Sequence, residues 1–237
     1  MLFSLLSSGD MRSAIIQILL TLPVVLFALS FHEAAHAFAA YKMGDRTAFN
    51  LGRMTFNPLK HLDPIGFLFM AVFGYGWAKP VPINARNFNN PKKGMAWTAI
   101  AGPIANLILG VISTFFLILT NFITIKFFPT AALGTLTGNI LYIVSLFFQL
   151  SALYNFILMV FNLIPVPPFD GSRFVALFLP TKWYFKIMRY ERYSLLAVLA
   201  LSLILSRVFG VQITTLIAKK IFYFFANPMW KLFLSFL

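Results

Sequence analysis

Three ionisable side chains lie inside a long apolar run near the beginning of the chain. His32, Glu33 and His36 form the pattern H-E-x-x-H, and mostly apolar residues surround them from position 14 to 40. Because residues four positions apart share one face of a helix, both imidazoles can point at the same metal ion. The carboxylate can then accept the proton of a water bound to that ion. The alternative is a polar cluster satisfied by neighbouring helices, but the cost of placing ionisable groups in lipid favours the metal site.

A catalytic zinc site needs a third protein ligand, with a water in the fourth position. The chain has no cysteine, only six acidic residues and one further histidine, His61. Among the acids Asp170 is the candidate, because it follows an apolar run at a proline-rich helix break. The alternative for Asp170 is an Asp-Gly turn at the membrane surface. For His61 and Asn106 we expect structural roles, the first within its turn and the second in a hydrogen bond between helices.

Composition places these residues in a membrane protein. Of the 237 residues, 60% are hydrophobic and 11% are charged, about half the charged fraction of an ordinary soluble domain. Several runs reach the roughly 20 apolar residues that a spanning helix needs. The sequence therefore predicts an all-α multi-pass membrane protein with about four to six transmembrane helices. The expected spans are residues 14–41, 96–125, 139–163 and 194–209, while residues 211–236 either span the membrane or lie in its interface.

Two segments between the first and second spans have a different character. Residues 45–60 are polar and basic, and their loose alternation predicts a small membrane-associated β-hairpin. Residues 67–77 are apolar but too few to cross the bilayer, so we expect a re-entrant segment buried against protein. We expect one integral membrane domain over residues 1–237. Its catalytic core is 14–173, and C-terminal transmembrane or amphipathic helices follow at 174–237.

The distribution of basic residues indicates the orientation in the membrane. Residues 42–93 contain eight of the 19 lysines and arginines, and residues 172–193 contain five. The positive-inside rule places both segments, and with them the candidate site, toward the cytoplasm. His32 then lies about 14 Å inside its helix, so water must reach it through a polar cavity. The net charge of +13 fits loops that face anionic lipid, and without a nucleic-acid recognition motif we expect no nucleic-acid partner.

A second motif accompanies the first. The end of the third expected span reads N-x-x-P-x-x-x-x-D-G, with Asn162, Pro165, Asp170 and Gly171 at the named positions. Together with H-E-x-x-H, this motif resembles the site-2 protease family of intramembrane zinc metalloproteases. The stretches GRMTFNPLKHLDPIG and AGPIAN also resemble segments of the compact members of that family, so the similarity extends over residues 30–173.

The resemblance implies roles for the site residues. It implies that His32, His36 and Asp170 hold one zinc ion per chain. It implies Glu33 as the general base, and it places Asn162 near the zinc, where this residue helps to hold the substrate or the oxyanion.

The function implied by the resemblance is zinc-dependent hydrolysis of peptide bonds within or near transmembrane segments of protein or peptide substrates. The hairpin expected within residues 45–60 would pair with an unwound substrate strand. No segment is long and polar enough for a PDZ or nucleotide-sensing domain, and this compact form suggests a bacterial or archaeal cell membrane. Two alternatives are a zinc-binding membrane protein without hydrolysis, such as a transporter or sensor, and a catalytically inactive protein that binds membrane helices.

Overall fold

Long helices account for most of the residues that the structure describes. The computed structural model describes residues 11–73, 76–130, 134–180, 193–194, 197–198, 200–201, 204 and 212–236. Within these residues the helices are α1 (Met11–Lys42), α2 (Thr47–Asn50), α3 (Pro58–His61), α4 (Pro64–Phe73), α5 (Pro91–Phe127), α6 (Leu136–Asn162), α7 (Asp170–Val175) and α8 (Ile213–Leu234). A 3-10 turn at Ala85–Asn87 lies between α4 and α5.

Helices α1, α5 and α6 are long and apolar enough to cross a membrane, α1 from Ile15 onward. They coincide with the spans expected at 14–41, 96–125 and 139–163. The predicted class of a helical integral membrane protein is therefore confirmed. The fourth expected span, at 194–209, and the basic stretch before it fall outside the described residues except for isolated positions.

Small residues allow the long helices to pack closely. Helices α1, α5 and α6 pack against one another, and α8 packs against α5 and α6. Ala152, Phe156 and Ala218 form a buried cluster where α6 and α8 meet. Gly110 of α5 faces the ring of Phe156, and a Cβ atom on this glycine would lie 2.7 Å from Cε1 of that ring. Because lipid tails are as apolar as the side chains, such close dispersion contacts, rather than exclusion of water, hold the helices together.

The β-hairpin predicted within residues 45–60 is wrong. Helices α2 and α3, each a single turn, occupy this segment, and none of its residues is in a strand. Asp45 accepts a hydrogen bond from the backbone nitrogen of Thr47, the first residue of α2. Asn57 caps α3, and Pro58 occupies its first turn. These local contacts favour helical turns over an alternation that is only a few residues long.

The apolar segment between Leu62 and Ala78 begins and ends at neighbouring positions in space. Helix α4 has 10 residues, so it is about 15 Å long, half the thickness of the hydrocarbon core of a bilayer. At the two ends of the segment, Leu62 and Ala78 form an isolated antiparallel bridge. The backbone nitrogen of Lys79 also donates to the carbonyl oxygen of His61 at 2.8 Å. The chain therefore re-emerges beside its starting point.

Candidate active site

Helix α1 and the beginning of α7 bring the three candidate metal ligands together. His32 and His36 lie one turn apart on α1, and their Nε2 atoms are 2.9 Å from each other. Oδ2 of Asp170 lies 3.1 Å from Nε2 of His32 and 3.2 Å from Nε2 of His36. Both imidazoles are buried, and Oδ2 of Asp170 is a buried oxygen that receives no hydrogen bond from the described residues. The three residues singled out in the sequence form one cluster in space.

The outer nitrogens of the two histidines determine where the ring protons lie. Nδ1 of His36 is 2.7 Å from the carbonyl oxygen of Thr98, and Nδ1 of His32 is 2.6 Å from Oδ1 of Asn106. Since these oxygens only accept, each Nδ1 donates, and each neutral ring turns the lone pair of Nε2 toward Asp170. Three electron-pair donors thus converge at one buried point, and a cation between them offsets their mutual repulsion. Two imidazole nitrogens and a carboxylate oxygen form a ligand set that fits zinc.

A cavity of about 170 Å³ opens beside the cluster. Glu33 lines this cavity together with His32, His36 and Asp170. Oε2 of Glu33 accepts a hydrogen bond of 2.9 Å from the backbone nitrogen of Val81. Since one water occupies roughly 30 Å³ in the liquid, the cavity has room for several waters next to the Glu33 carboxylate. This is the polar space that the depth of His32 in its helix requires.

The end of α6 and the beginning of α7 add two polar side chains to the cavity wall. Asn162 is the last residue of α6, and its Nδ2 donates to the carbonyl oxygen of Leu158 in the same helix at 3.0 Å. Arg173 lines the cavity from α7, one turn after Asp170. The sequence alone presents Arg173 only as one basic loop residue among several. In the structure it shares the cavity lining with the candidate metal ligands.

A tight turn after α6 positions Asp170. Helix α6 ends at Asn162, and the prolines at 165, 167 and 168 prevent it from continuing. Gly171 then packs so closely against this end that a Cβ atom would lie 2.3 Å from the carbonyl oxygen of Leu163. Glycine is the only residue without a Cβ atom, so this contact accounts for the D-G pair of the second motif.

An extended segment passes beside Glu33. We name residues 78–84 the strap, and this segment contributes three residues to the cavity lining. Nη2 of Arg53 donates to two strap carbonyl oxygens, at Lys79 (2.7 Å) and Pro80 (3.3 Å). Oδ2 of Asp45 accepts a hydrogen bond of 2.7 Å from the last backbone nitrogen of the strap. Two charged side chains from the polar segment after α1 therefore fix the strap that contacts Glu33.

Asp45 anchors the strap as a buried carboxylate. Burial by itself raises the pKa of the Asp45 carboxyl group, because it disfavours the charged form. Hydrogen bonds from Thr47, Asn84 and Asn87 outweigh this effect, and the pKa of Asp45 lies below its usual value. Asp45 therefore remains ionised at neutral pH and holds its donors firmly.

His61 lies outside the cluster of candidate ligands. Its ring is buried, and Nε2 donates to the carbonyl oxygen of Thr55 at 2.8 Å. This bond closes the turn that carries α3, which fits the structural role expected from the sequence.

Comparison with known proteins identifies the family. Residues 20–205 match the profile described as Peptidase family M50. The chain belongs to peptidase family M50. This M50 chain is 38% identical over 177 residues to "Putative zinc metalloprotease YwhC" of Bacillus subtilis, an alignment that covers 75% of this chain and 77% of that protein. It is 32% identical over 152 residues to "Putative zinc metalloprotease Rip2" of Mycolicibacterium smegmatis, covering 62% of this chain and 52% of that protein. No solved structure matches the chain with statistical significance.

Membership in M50 confirms the predicted resemblance to the site-2 protease family. The family match extends to residue 205, beyond the range 30–173 in which the sequence shows the resemblance. The two motifs behind the resemblance are more than 120 residues apart in the sequence. Residues of both motifs nevertheless line the same cavity.

Helix α5 supplies one face of the M50 site. The hydrogen bond between helices expected for Asn106 is confirmed, but the sequence did not name His32 as its partner. Thr98 and Asn106 bond to the two histidines, and Gly102 lies between them on the same helical face. A Cβ atom on Gly102 would lie 2.5 Å from Cε1 of His32 and 2.6 Å from Cε1 of His36. The available signal was a glycine four residues before a polar Asn in an apolar span. It predicts a close polar contact, but it does not name the partner.

Proposed function

We propose that this protein is a zinc-dependent intramembrane protease that hydrolyses peptide bonds within or near transmembrane segments of membrane proteins. The observation that carries the proposal is the convergence of His32, His36 and Asp170 beside Glu33 in one cavity. The family match and the zinc metalloprotease names of two relatives support it. We assign one zinc ion per chain to the three converging ligand atoms.

Glu33 is the proposed general base. Zinc held by such a ligand set lowers the pKa of a bound water to about 7 and polarises a carbonyl group. Glu33 accepts a proton from the attacking water in the cavity and passes it to the leaving amine. The hydrogen bond from the Val81 backbone nitrogen to Oε2 holds the carboxylate at the cavity wall while its other oxygen takes the proton.

Asn162 and Arg173 are the side chains proposed to hold the substrate. Nδ2 of Asn162 bonds to its own helix, so we assign its amide oxygen to a backbone N–H group of an unwound substrate. Arg173 also lines the cavity, and we assign its guanidinium group to the negative charge that develops on the scissile carbonyl oxygen. The substrate helix must unwind first, because a helical carbonyl is already hydrogen-bonded.

We further propose how the chain is arranged in its membrane. The site faces the cytoplasmic side of a bacterial or archaeal membrane, because the basic segments at 42–93 and 172–193 follow the two site motifs along the chain. The segment between Leu62 and Ala78 is re-entrant, since its two ends meet. The chain acts as one domain with its core at 14–173. Including the C-terminal helices, about four to six spans cross the bilayer.

The experiment that tests the function measures zinc content and peptide cleavage in the same three proteins. The wild type, Asp170→Ala and Glu33→Gln are purified in detergent, and zinc content is measured by elemental analysis. Each is then reconstituted into liposomes with a doubly tagged single-span protein whose membrane helix contains glycine and asparagine. We expect about one zinc in the wild type and in Glu33→Gln, a sharp loss in Asp170→Ala, and cleavage by the wild type alone.

Each other outcome contradicts a defined part of the proposal. Full zinc retention in Asp170→Ala would exclude Asp170 as a ligand. Zinc binding by the wild type without cleavage of any tagged protein would favour a zinc-binding protein that does not hydrolyse. Absence of zinc from the wild type even after reconstitution would favour a protein that only binds membrane helices.

A further inference from the structure

We propose that Asn106 is the positioning residue that fixes the ring of His32 for metal binding, and that Asn155 holds Asn106 in turn. This inference rests on the proposed zinc site and adds to it two residues from α5 and α6. Both side chains are fully buried in the middle of the helix bundle. Neither lines the cavity of the site, so neither is expected to touch the substrate.

Every polar hydrogen of the Asn106 amide has a partner. Its Oδ1 lies 2.6 Å from Nδ1 of His32. Its Nδ2 donates to the carbonyl oxygen of Ala28 at 3.3 Å and to Oδ1 of Asn155 at 2.8 Å. Asn155 in turn donates from Nδ2 to the carbonyl oxygen of Ser151 at 2.8 Å. A buried amide satisfied in this way has one orientation, because turning it over would leave the partners unpaired.

Backbone carbonyl groups set the direction of the whole network. The carbonyl oxygens of Ala28 and Ser151 can only accept, so the amide nitrogens of Asn106 and Asn155 must face them. Oδ1 of Asn106 is left to face His32 and can only accept from Nδ1. The proton of the neutral His32 ring is therefore fixed on Nδ1, and the lone pair of Nε2 is directed at Asp170.

The two histidines differ in how their outer partner can be changed. His36 donates to the backbone carbonyl of Thr98, which every residue at that position supplies. His32 depends on a side chain, so substitution of Asn106 changes one ligand of the proposed site and leaves the other ligand bonded. Outer partners of metal-bound histidines typically contribute roughly 10- to 100-fold in metal affinity.

The test compares zinc dissociation constants, measured by competition with a chromogenic chelator in detergent. Asn106→Leu removes both the acceptor oxygen and the donor NH₂ group of the amide, and we expect its zinc affinity to fall roughly 10- to 100-fold. Asn106→Asp keeps an oxygen acceptor for His32 but loses both donors, so we expect its affinity to stay closer to that of the wild type. Ser113→Ala is the matched control. It removes a buried hydrogen bond of 2.8 Å between Ser113 of α5 and Ser151 of α6 and does not contact His32.

The comparison of the two Asn106 variants distinguishes positioning of His32 from simple attachment of helices. If Asn106→Asp loses as much affinity as Asn106→Leu, the two donors matter rather than the acceptor, and the proposal is wrong. Wild-type affinity in Asn106→Leu would also overturn it. Should Asn106→Leu fail to fold, Asn155→Leu replaces it, with a smaller loss expected because Asn106 keeps its bond to His32. An unchanged affinity in Asn155→Leu would remove Asn155 from the proposal.

A second readout reports the geometry of the metal ligands. In protein loaded with Co²⁺ instead of zinc, the visible absorption bands respond to the geometry of the ligands, so Asn106→Leu should shift them and Ser113→Ala should not. If the wild type itself binds neither metal, the result contradicts the proposed zinc site, on which the role of Asn106 depends. Failure of the proposed function and failure of this inference are thereby distinguishable.

Discussion

At the scale of single residues, adjacent positions on one helical turn perform different tasks. His32 points its Nε2 atom at Asp170, whereas Glu33 bonds to the strap through Val81. We therefore expect Glu33→Gln to retain zinc and to lose peptide hydrolysis by roughly 10²- to 10⁴-fold, the usual contribution of a general base. Zinc analysis and cleavage of a liposome-reconstituted substrate measure the two effects on one preparation. Cleavage at the wild-type rate would exclude Glu33 as the base.

Two glycines of α5 provide a matched pair at the same scale. Gly102 lies against the rings of His32 and His36, whereas Gly110 lies against the ring of Phe156. We expect Gly102→Ala to lower zinc affinity, because the added methyl group displaces the rings of the two proposed ligands. Gly110→Ala should lower the melting temperature and leave zinc affinity unchanged. Chelator competition and thermal unfolding in detergent measure both variants, and equal zinc affinity in the two would contradict the assignment.

At the scale of elements, the strap is held by two charged residues of the segment in which the sequence predicts a hairpin. Arg53 and Asp45 fix its two ends, and Val81 between them contacts Glu33. The strap therefore links the polar segment after α1 to the proposed general base. Changes in that segment are expected to alter catalysis without altering the metal ligands.

Asp45 gives this link a defined pH dependence. Its pKa in the folded protein lies below the usual value, so the unfolded chain binds the proton more readily than the folded chain. Its contribution to stability is complete above the ordinary aspartate pKa of about 3.9. This contribution is lost as the pH falls from there through the lower pKa of Asp45 in the folded protein. Thermal unfolding from pH 7 down to pH 3 should therefore show a steeper loss of stability in the wild type than in Asp45→Asn.

Thr47→Val serves as the control for this measurement. It removes one of the side-chain donors to Asp45 and leaves the carboxylate in place, so its pH dependence should fall between those of the other two proteins. Identical acid profiles in the wild type and Asp45→Asn would mean that the carboxylate does not stabilise the strap.

At the scale of the whole molecule, the proposed metal joins helices that are far apart in the chain. His32 and His36 belong to α1, whereas Asp170 begins α7. Removal of zinc leaves three electron-pair donors facing one another in a buried place, so we expect the melting temperature to fall on treatment with a chelator. A ligand at 100 times its dissociation constant contributes about 2.7 kcal/mol to stability. Differential scanning fluorimetry with and without chelator measures the effect.

Asp170→Ala is the control for the metal effect on stability. Without the third ligand, the melting temperature of this variant should respond weakly to added zinc. A wild-type melting temperature that is insensitive to chelator, in protein shown to have lost its zinc, would mean that the metal does not support the fold.

Much of the architecture could be predicted because it depends on short-range patterns. The three long spans follow from runs of apolar residues, which fix a helix in lipid wherever the rest of the chain lies. The hairpin within 45–60 could not be predicted correctly, because weak alternation competes there with the hydrogen bond from Thr47 to Asp45 and with the capping of α3 by Asn57. A few local hydrogen bonds decide between strand and helical turn, and long-range bonds from Arg53 and Asp45 to the strap add to them.

The sequence by itself determined the candidate chemistry. The spacing of His32 and His36 places both rings on one helical face, and the second motif marks Asp170 at a helix break. Only the tertiary structure decided which groups surround them. The bonds from His32 to Asn106, from His36 to Thr98 and from Glu33 to Val81 join residues far apart in the chain. Such partners have no fixed spacing along the sequence, because they depend on how α1, α5 and the strap pack.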